Sequence, residues 1–299
     1  MGTQTRYLNP EVIRKVARLD LKAKFIVEGF LSGLHGSPFH GFSVEFSEHR
    51  KYTPGDEIQA IDWSVYARTD KYYIKKFQAE TNLNCYLLLD ISESMNYGSI
   101  EGNSKLDYAK CLVAALSYLM IHQQDPVSLI TFDTKIQTFL PPKSKRSQLS
   151  HILTQLNRAH SSSQTDIASV IHSVVQLIRH RGLIILFSDL LEDKERLMSA
   201  IHRLKFGGHD MIIFHILDHS EVHFPFDHPT TFVDPETNES MTIDPKAIRE
   251  EYLKEIQNFL GTLRKEMNLL RIDYVPLNTG TPFDEALISF LMNRKKSSK

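Results

Sequence analysis

Asp90, Ser92 and Ser94 stand at alternate positions just after the apolar run Cys85–Leu89, in the stretch CYLLLDISESM. A carboxylate and two hydroxyls, with no cysteine or histidine among them, form a hard oxygen donor set. Such a set suits Mg²⁺, with Mn²⁺ as a substitute; Mg²⁺ prefers about six oxygens at about 2.0–2.1 Å and usually keeps some waters. Two later segments offer matching donors: Thr165 in the loop SSSQTDIA, and Asp189 after the run GLIILFS. With few direct charges around it, a cation held by Asp90, Ser92, Ser94, Thr165 and Asp189 would stay electrophilic enough to accept an outside carboxylate.

Whether these residues meet depends on the elements that carry them. The short runs CYLLLD (85–90), VSLITF (127–132), GLIILF (182–187), MIIFHIL (211–217) and LRIDYV (270–275) are almost continuously apolar. That pattern belongs to strands covered on both faces, as in a parallel sheet. Between them lie helical patterns: an almost wholly apolar segment at 106–121, a stripe from Ile167 to Ile178, and another from Ile248 to Met267. Strand–helix alternation of this kind predicts a doubly wound, mostly parallel α/β sheet. In such a sheet ligands gather beyond the carboxyl ends of the strands, where the strand order reverses. Asp90 and Asp189 both follow apolar strands, and Thr165 opens or just precedes a helix, so topology predicts that the five donors converge.

The spacing divides the chain into an α+β extension over 1–82 and an α/β domain over 83–293. Asp133-Thr134 separates VSLITF from KIQTFL and predicts a hairpin with an antiparallel edge strand. The segment 219–246 interrupts the alternation with four prolines and reads as a β-hairpin insertion. The extension reads as helix over about 10–33, then short strands around 42–46 and 72–80. Its segment YTPGDEIQAIDW (52–63) reads as a turn at Pro54-Gly55. Asp56, Asp62 and Arg68 are expected to form a polar network beneath Trp63, the single tryptophan, itself expected to be buried at the domain junction; the alternative reading of the segment is a partner-docking surface.

Composition narrows the function classes. The formal net charge of −1 offers no basic field for nucleic acid or an anionic membrane. The two cysteines, Cys85 and Cys111, lie in apolar runs and read as buried hydrophobes. No apolar run approaches the ~20 residues of a membrane helix, and the amino terminus lacks a signal-peptide core, so a cytoplasmic protein is expected. The 14 histidines show no metal-binding spacing and read as surface or half-buried groups.

Phosphate loops, dinucleotide fingerprints and a G-x-S-x-G elbow are missing from the sequence. One enzyme reading survives: a Mg²⁺-dependent phosphotransferase or phosphatase with Asp90 as the nucleophile. Against it, position 92 is serine where dehalogenase-like enzymes place a second aspartate.

The pattern D-x-S-x-S at Asp90, Ser92 and Ser94, followed by Thr165 and Asp189, resembles the metal-ion-dependent adhesion site of von Willebrand factor A-like domains. A second stretch, YTPGDEIQAIDW with YARTDKYYIKKF (66–77), resembles the signature of bacterial proteins called domain of unknown function 58. In those proteins it precedes the same A-like domain, and the similarity runs from about residue 8 to 291. The family tends to have glycine before the threonine, where this chain has Ser163-Gln164. The resemblance implies a non-enzymatic, Mg²⁺-dependent protein-binding module, an adaptor or chaperone-like partner of a MoxR-type AAA+ ATPase or its client. A metal in this donor set would keep an outer position facing solvent at the sheet edge, where Glu93, Met95 and Tyr97 are expected to provide selectivity for a partner's carboxylate.

Overall fold

The computed structural model describes residues 43–53, 61–80, 84–100, 103–161, 166–178, 180–233 and 239–297. They fall into two compact units, one within 35–82 and one within 83–299.

In the smaller unit, β1 (Ser43–Lys51) pairs antiparallel with β2 (Tyr73–Glu80), with a register shift between Phe46 and Glu48. Between them lies the short helix α1 (Trp63–Thr69). Asp62 starts it by accepting from the Ser64 and Val65 amides, which would otherwise lack partners in the first turn. Asp62 therefore serves as a helix cap, while Asp56 and the helix expected over 10–33 lie outside the described residues. The expectation of a buried Trp63 is corrected: the side chain is 55% exposed and meets Tyr66 edge-on. Ile61 and Ile74 are buried apolar side chains of this unit.

The larger unit is built on a six-stranded sheet. Its strands are β3 (Asn84–Asp90), β4 (Val127–Phe132), β5 (Ile136–Lys143), β6 (Gly182–Ser188), β7 (Asp210–Leu217) and β10 (Asp273–Asn278), in the spatial order β10-β7-β6-β3-β4-β5. All pairings are parallel except β4 with β5, the hairpin expected at Asp133-Thr134. Leu87 and Leu89 of β3 face one core with α2 (Lys105–His122) and α3 (Arg146–Arg158). Tyr86 and Leu88 face a second core with α4 (Ile167–Leu177) and α5 (Lys194–Phe206). Burial on both faces explains why β3, β4 and β6 are apolar throughout instead of alternating.

Edge strands obey a different rule. Pro141 and Pro142 lie in β5 where its register against β4 shifts, and Pro276 lies in β10; these are the two outer strands, where proline is tolerated. The last strand begins three residues later than the sequence predicts. The long helix α7 (Pro245–Leu269) runs up to it, Arg271 turns the chain at φ 54°, and Ile272 seals the corner at 2% exposure. After β7 comes the short helix α6 (His219–His223), then the expected hairpin of β8 (Thr230–Val233) with β9 (Ser240–Ile243). Helix α8 (Phe283–Ser297) follows β10. No helix among the described residues is long and apolar enough to cross a membrane.

Candidate functional site

Chain order reverses at the neighbouring strands β3 and β6: β4 lies on one side of β3, and the later strands extend from its other side. Crossovers on either side of such a point leave a crevice beyond the strand ends. Asp90 ends β3 and Asp189 follows β6, so their loops border this crevice.

Asp90 is fully buried and both its oxygens are engaged. Oδ1 accepts from the Ser92 amide at 3.0 Å, and Oδ2 accepts from Ser188 Oγ at 2.7 Å. Ser188 Oγ accepts in turn from the Leu190 amide at 2.9 Å, which fixes the hydroxyl rotor. The hydroxyls of Ser92 and Ser94 lie 3.0 Å apart. Ser94 opens a single 3-10 turn, Ser94–Asn96, closed by the Tyr97 amide donating to the Ser94 carbonyl. Leu190, fully buried, takes φ 54° between Asp189 and Leu191. A non-glycine residue in that region is strained, so packing must hold it there.

Burial first, and then the Asp189 carboxylate, push the Asp90 pKa up to about 7. Two neighbouring carboxylates out of water call for a cation. Part of that call is met by Lys105, in the first turn of α2. Its Nζ donates to Asp189 Oδ2 at 2.8 Å and to Glu221 Oε1 at 2.7 Å, with the lysine side chain only 1% exposed. Burial works against the ammonium, but Asp189 and Glu221 outweigh it and hold its pKa above the ordinary lysine value. The same burial lifts the Glu221 carboxyl although Lys105 pulls it down, so desolvation cancels much of the ion pair's gain. The triad's effect is to fix Asp189 in place.

Asp189 is also held from behind. The His215 ring, fully buried, donates from Nε2 to the Asp189 carbonyl at 2.8 Å. Nδ1 is then the acceptor for the Tyr274 hydroxyl at 2.5 Å. Burial pushes the His215 pKa down to about 4, which keeps the ring neutral in this arrangement. This corrects the reading of all the histidines as surface or half-buried groups; His215 is a buried support.

A further buried carboxylate, Asp218, ties the loop after β3 to the end of β7. It accepts from the Ser99 and Ser220 amides and from the Ser220 and Thr279 hydroxyls. Burial alone would raise its pKa, but these donors bring it down to about 2. Tyr97 adds a bond of 2.8 Å between its hydroxyl and Ser220 Oγ.

The sequence-derived set thus divides. Asp90, Ser92, Ser94 and Asp189 lie at the paired ends of β3 and β6, whereas Thr165 lies outside the described residues. The cap expected near Thr165 is Asp166, which accepts from the Ser169 amide. Glu192 accepts from the Ile167 amide at 3.0 Å, so the start of α4 is tied to the loop that carries Asp189. Sequence reasoning missed Lys105, Glu221 and the supporting role of Ser188. A lysine in the first turn of a helix gives no signal of burial, and Glu221 belongs to an insertion set apart from the repeat of strand and helix.

Two expectations about access are corrected. Met95 is fully buried, so it cannot meet a partner; it packs in the α2-side core. The four described donors face little solvent, Ser94 being the most exposed at 6%. The donor chemistry nevertheless fits a hard cation: two hydroxyls in contact, and a buried carboxylate whose charge only part of an ammonium offsets. A larger concavity of about 740 Å³ runs along β10, past Tyr274 and Pro276, and contains none of these donors.

Residues 48–259 match the family model described as "Protein of unknown function DUF58". The "Uncharacterized protein Rv1480" of Mycobacterium tuberculosis (strain ATCC 25618 / H37Rv) is 23% identical, covering 97% of this chain and 92% of that protein. Among solved structures, the conserved hypothetical protein BatB from Bacteroides thetaiotaomicron is 18% identical with a TM-score of 0.46, over 72% of this chain and 99% of that one. The von Willebrand factor type A structure from Catenulispora acidiphila is 12% identical with a TM-score of 0.42, over 74% of this chain and 44% of that one. Since the family model spans well over half of the sequence, the chain belongs to the DUF58 family.

Proposed function

We propose that this protein is a divalent-cation-dependent protein-recognition module in which Asp90, Ser92, Ser94, Thr165 and Asp189 hold Mg²⁺, or Mn²⁺ in its place. The observation that carries this reading is the pair of buried carboxylates, Asp90 and Asp189, with two touching serine hydroxyls beside them at the switch point of the sheet. A bound Mg²⁺ would supply an electrophilic position for a partner's carboxylate. The chain's own residues orient the donors: Ser188 fixes the Asp90 carboxylate, Lys105 fixes that of Asp189, and His215 anchors its backbone.

The partner we assign is a MoxR-type AAA+ ATPase or its client, on the strength of the sequence resemblance alone. The phosphotransferase reading is weaker. An aspartyl nucleophile must be reached by a phosphate ester, and the Asp90 side chain is fully buried, whereas a small ion needs only a remaining lone pair on its oxygens.

Titration calorimetry with MgCl₂ tests the metal. The wild type should bind about one ion, Asp90→Ala none, and Thr165→Ala should bind more weakly. Unchanged binding by Asp90→Ala would refute the assignment. A pull-down in Mg²⁺ and in EDTA, read by mass spectrometry, then tests the partner: the ATPase should be retained only with the ion.

A further inference from the structure

A cavity that opens to solvent shares Ser94 with the candidate donors, and it is lined by aromatic rings. Its volume is about 450 Å³, and Lys105 and Glu221 are also among its lining residues. Its walls are Tyr97, Phe224, Phe226, Phe232 and Tyr252. Such a volume lies in the usual ligand-pocket range of about 300–1,000 Å³. Four segments build it: the loop after β3 brings Ser94 and Tyr97, the first turn of α2 brings Lys105, the loop after β6 brings Leu191, and the insertion with α7 brings the rest.

The walls are fixed by contacts among themselves. Phe224 stacks on Phe232 at 5.8 Å and tilts against Tyr252 at 4.5 Å, and Phe226 meets Phe232 edge-on at 5.1 Å. Tyr252 donates its hydroxyl proton to the Glu221 carbonyl at 2.9 Å, and Phe224 sits at φ 46° at the end of α6. The rim is apolar and open: Leu191 is 53% exposed, Val233 57% and Tyr97 39%. Apolar side chains left in solvent around a concave site mark a recognition surface.

Charge decides the occupant. Among the described residues, the only ionic groups lining the cavity are Lys105 and Glu221, which are paired with each other at 2.7 Å, so the described walls present aromatic rings and no unpaired carboxylate. Ser94, shared with the donor set, makes the cavity continuous with the place where a carboxylate would be received. We propose that the cavity receives a large apolar side chain, Phe, Leu, Ile, Met or Trp, of a protein partner whose carboxylate engages the donor site alongside. The insertion hairpin, through Phe232 and Val233, would then select the partner by its apolar residue. This proposal rests on the protein-recognition reading above and adds the chemistry of the segment recognised.

The test is selection from a phage-displayed library of random hexapeptides against the full chain, in Mg²⁺ and in EDTA. In Mg²⁺ the wild type should enrich peptides that carry Asp or Glu within two positions of one of those apolar residues. For a synthetic copy of the most enriched peptide, Phe232→Ser and, separately, Leu191→Ser should each raise Kd at least tenfold. Mg²⁺ binding by calorimetry should stay unchanged in both. Using two variants on different segments guards against misfolding of either. Enrichment of acidic peptides with no apolar preference, or unchanged Kd in both variants, would overturn the cavity proposal and leave the metal reading standing. Enrichment of basic peptides, or of none, would also overturn it. Equal enrichment of the apolar–acidic peptides in EDTA would support the cavity and overturn the metal reading.

Discussion

The Lys105 ammonium lies 2.8 Å from Asp189 Oδ2 with both side chains 1% exposed, so the site already contains a cation supplied by the chain. An ammonium that shares a carboxylate with a bound ion competes with that ion by charge and by position. Replacing Lys105 with Met would leave Asp189 and Glu221 buried without it. Removing one partner of a buried pair costs about 3–5 kcal/mol. Lys105→Met should therefore unfold at lower urea in EDTA, and MgCl₂ should restore more of its stability than it adds to the wild type. Equal Mg²⁺ stabilisation of the two proteins would show that Lys105 and the metal do not share Asp189.

Ser188 supports Asp90 without belonging to the donor set. Deleting its hydroxyl leaves Asp90 Oδ2 without that donor and frees the carboxylate to rotate. Outer residues that orient a ligand typically contribute about 10–100-fold to metal affinity. Ser188→Ala should weaken Mg²⁺ binding by a factor in that range, measured by calorimetry, while the fold remains intact by circular dichroism.

The relay from Tyr274 through His215 to the Asp189 carbonyl should behave as a unit. His215→Phe keeps the ring volume but removes both hydrogen bonds, at about 1–3 kcal/mol for each group left unpaired. Tyr274→Phe in the His215→Phe background should then cost less than it does alone. Urea denaturation of the four proteins checks this; additive losses would mean the two bonds act independently.

Asp125 predicts a pH dependence away from the site. It is 6% exposed, its Oδ2 has no hydrogen-bond partner, and burial pushes its pKa up to about 7. The folded state therefore holds a proton that the unfolded state releases near pH 4. Stability should fall as pH rises from about 4 to about 7, by at most on the order of 4 kcal/mol. In Asp125→Asn this group's share of the fall should disappear while the share of Asp90, also raised to about 7, remains, so the variant should equal the wild type near pH 4, fall less steeply and exceed its stability at pH 8. Parallel pH profiles for the two would contradict the buried, protonated state.

The sequence by itself determined the sheet and four of its contents. Runs such as CYLLLD and GLIILF are short enough to favour strands buried on both faces over a buried helix, and hydroxyl and carboxylate residues directly after them then lie at the strand ends. That is why the placing of Asp90, Ser92, Ser94 and Asp189 at the ends of β3 and β6 was legible in the sequence. The antiparallel edge was legible too, because Asp133-Thr134 is too short to carry a parallel crossover. Tertiary structure alone decided how exposed each group is. Trp63 was misjudged because an aromatic ring is buried only where neighbouring elements bring enough apolar surface, and Met95 because residues i and i+2 of a turn need not share a face. Lys105 gained its place from two acids that lie 84 and 116 residues away in the chain, a pairing that no local pattern encodes. The aromatic cavity is of the same kind: its walls come from loops that only the closed sheet and its insertion place side by side.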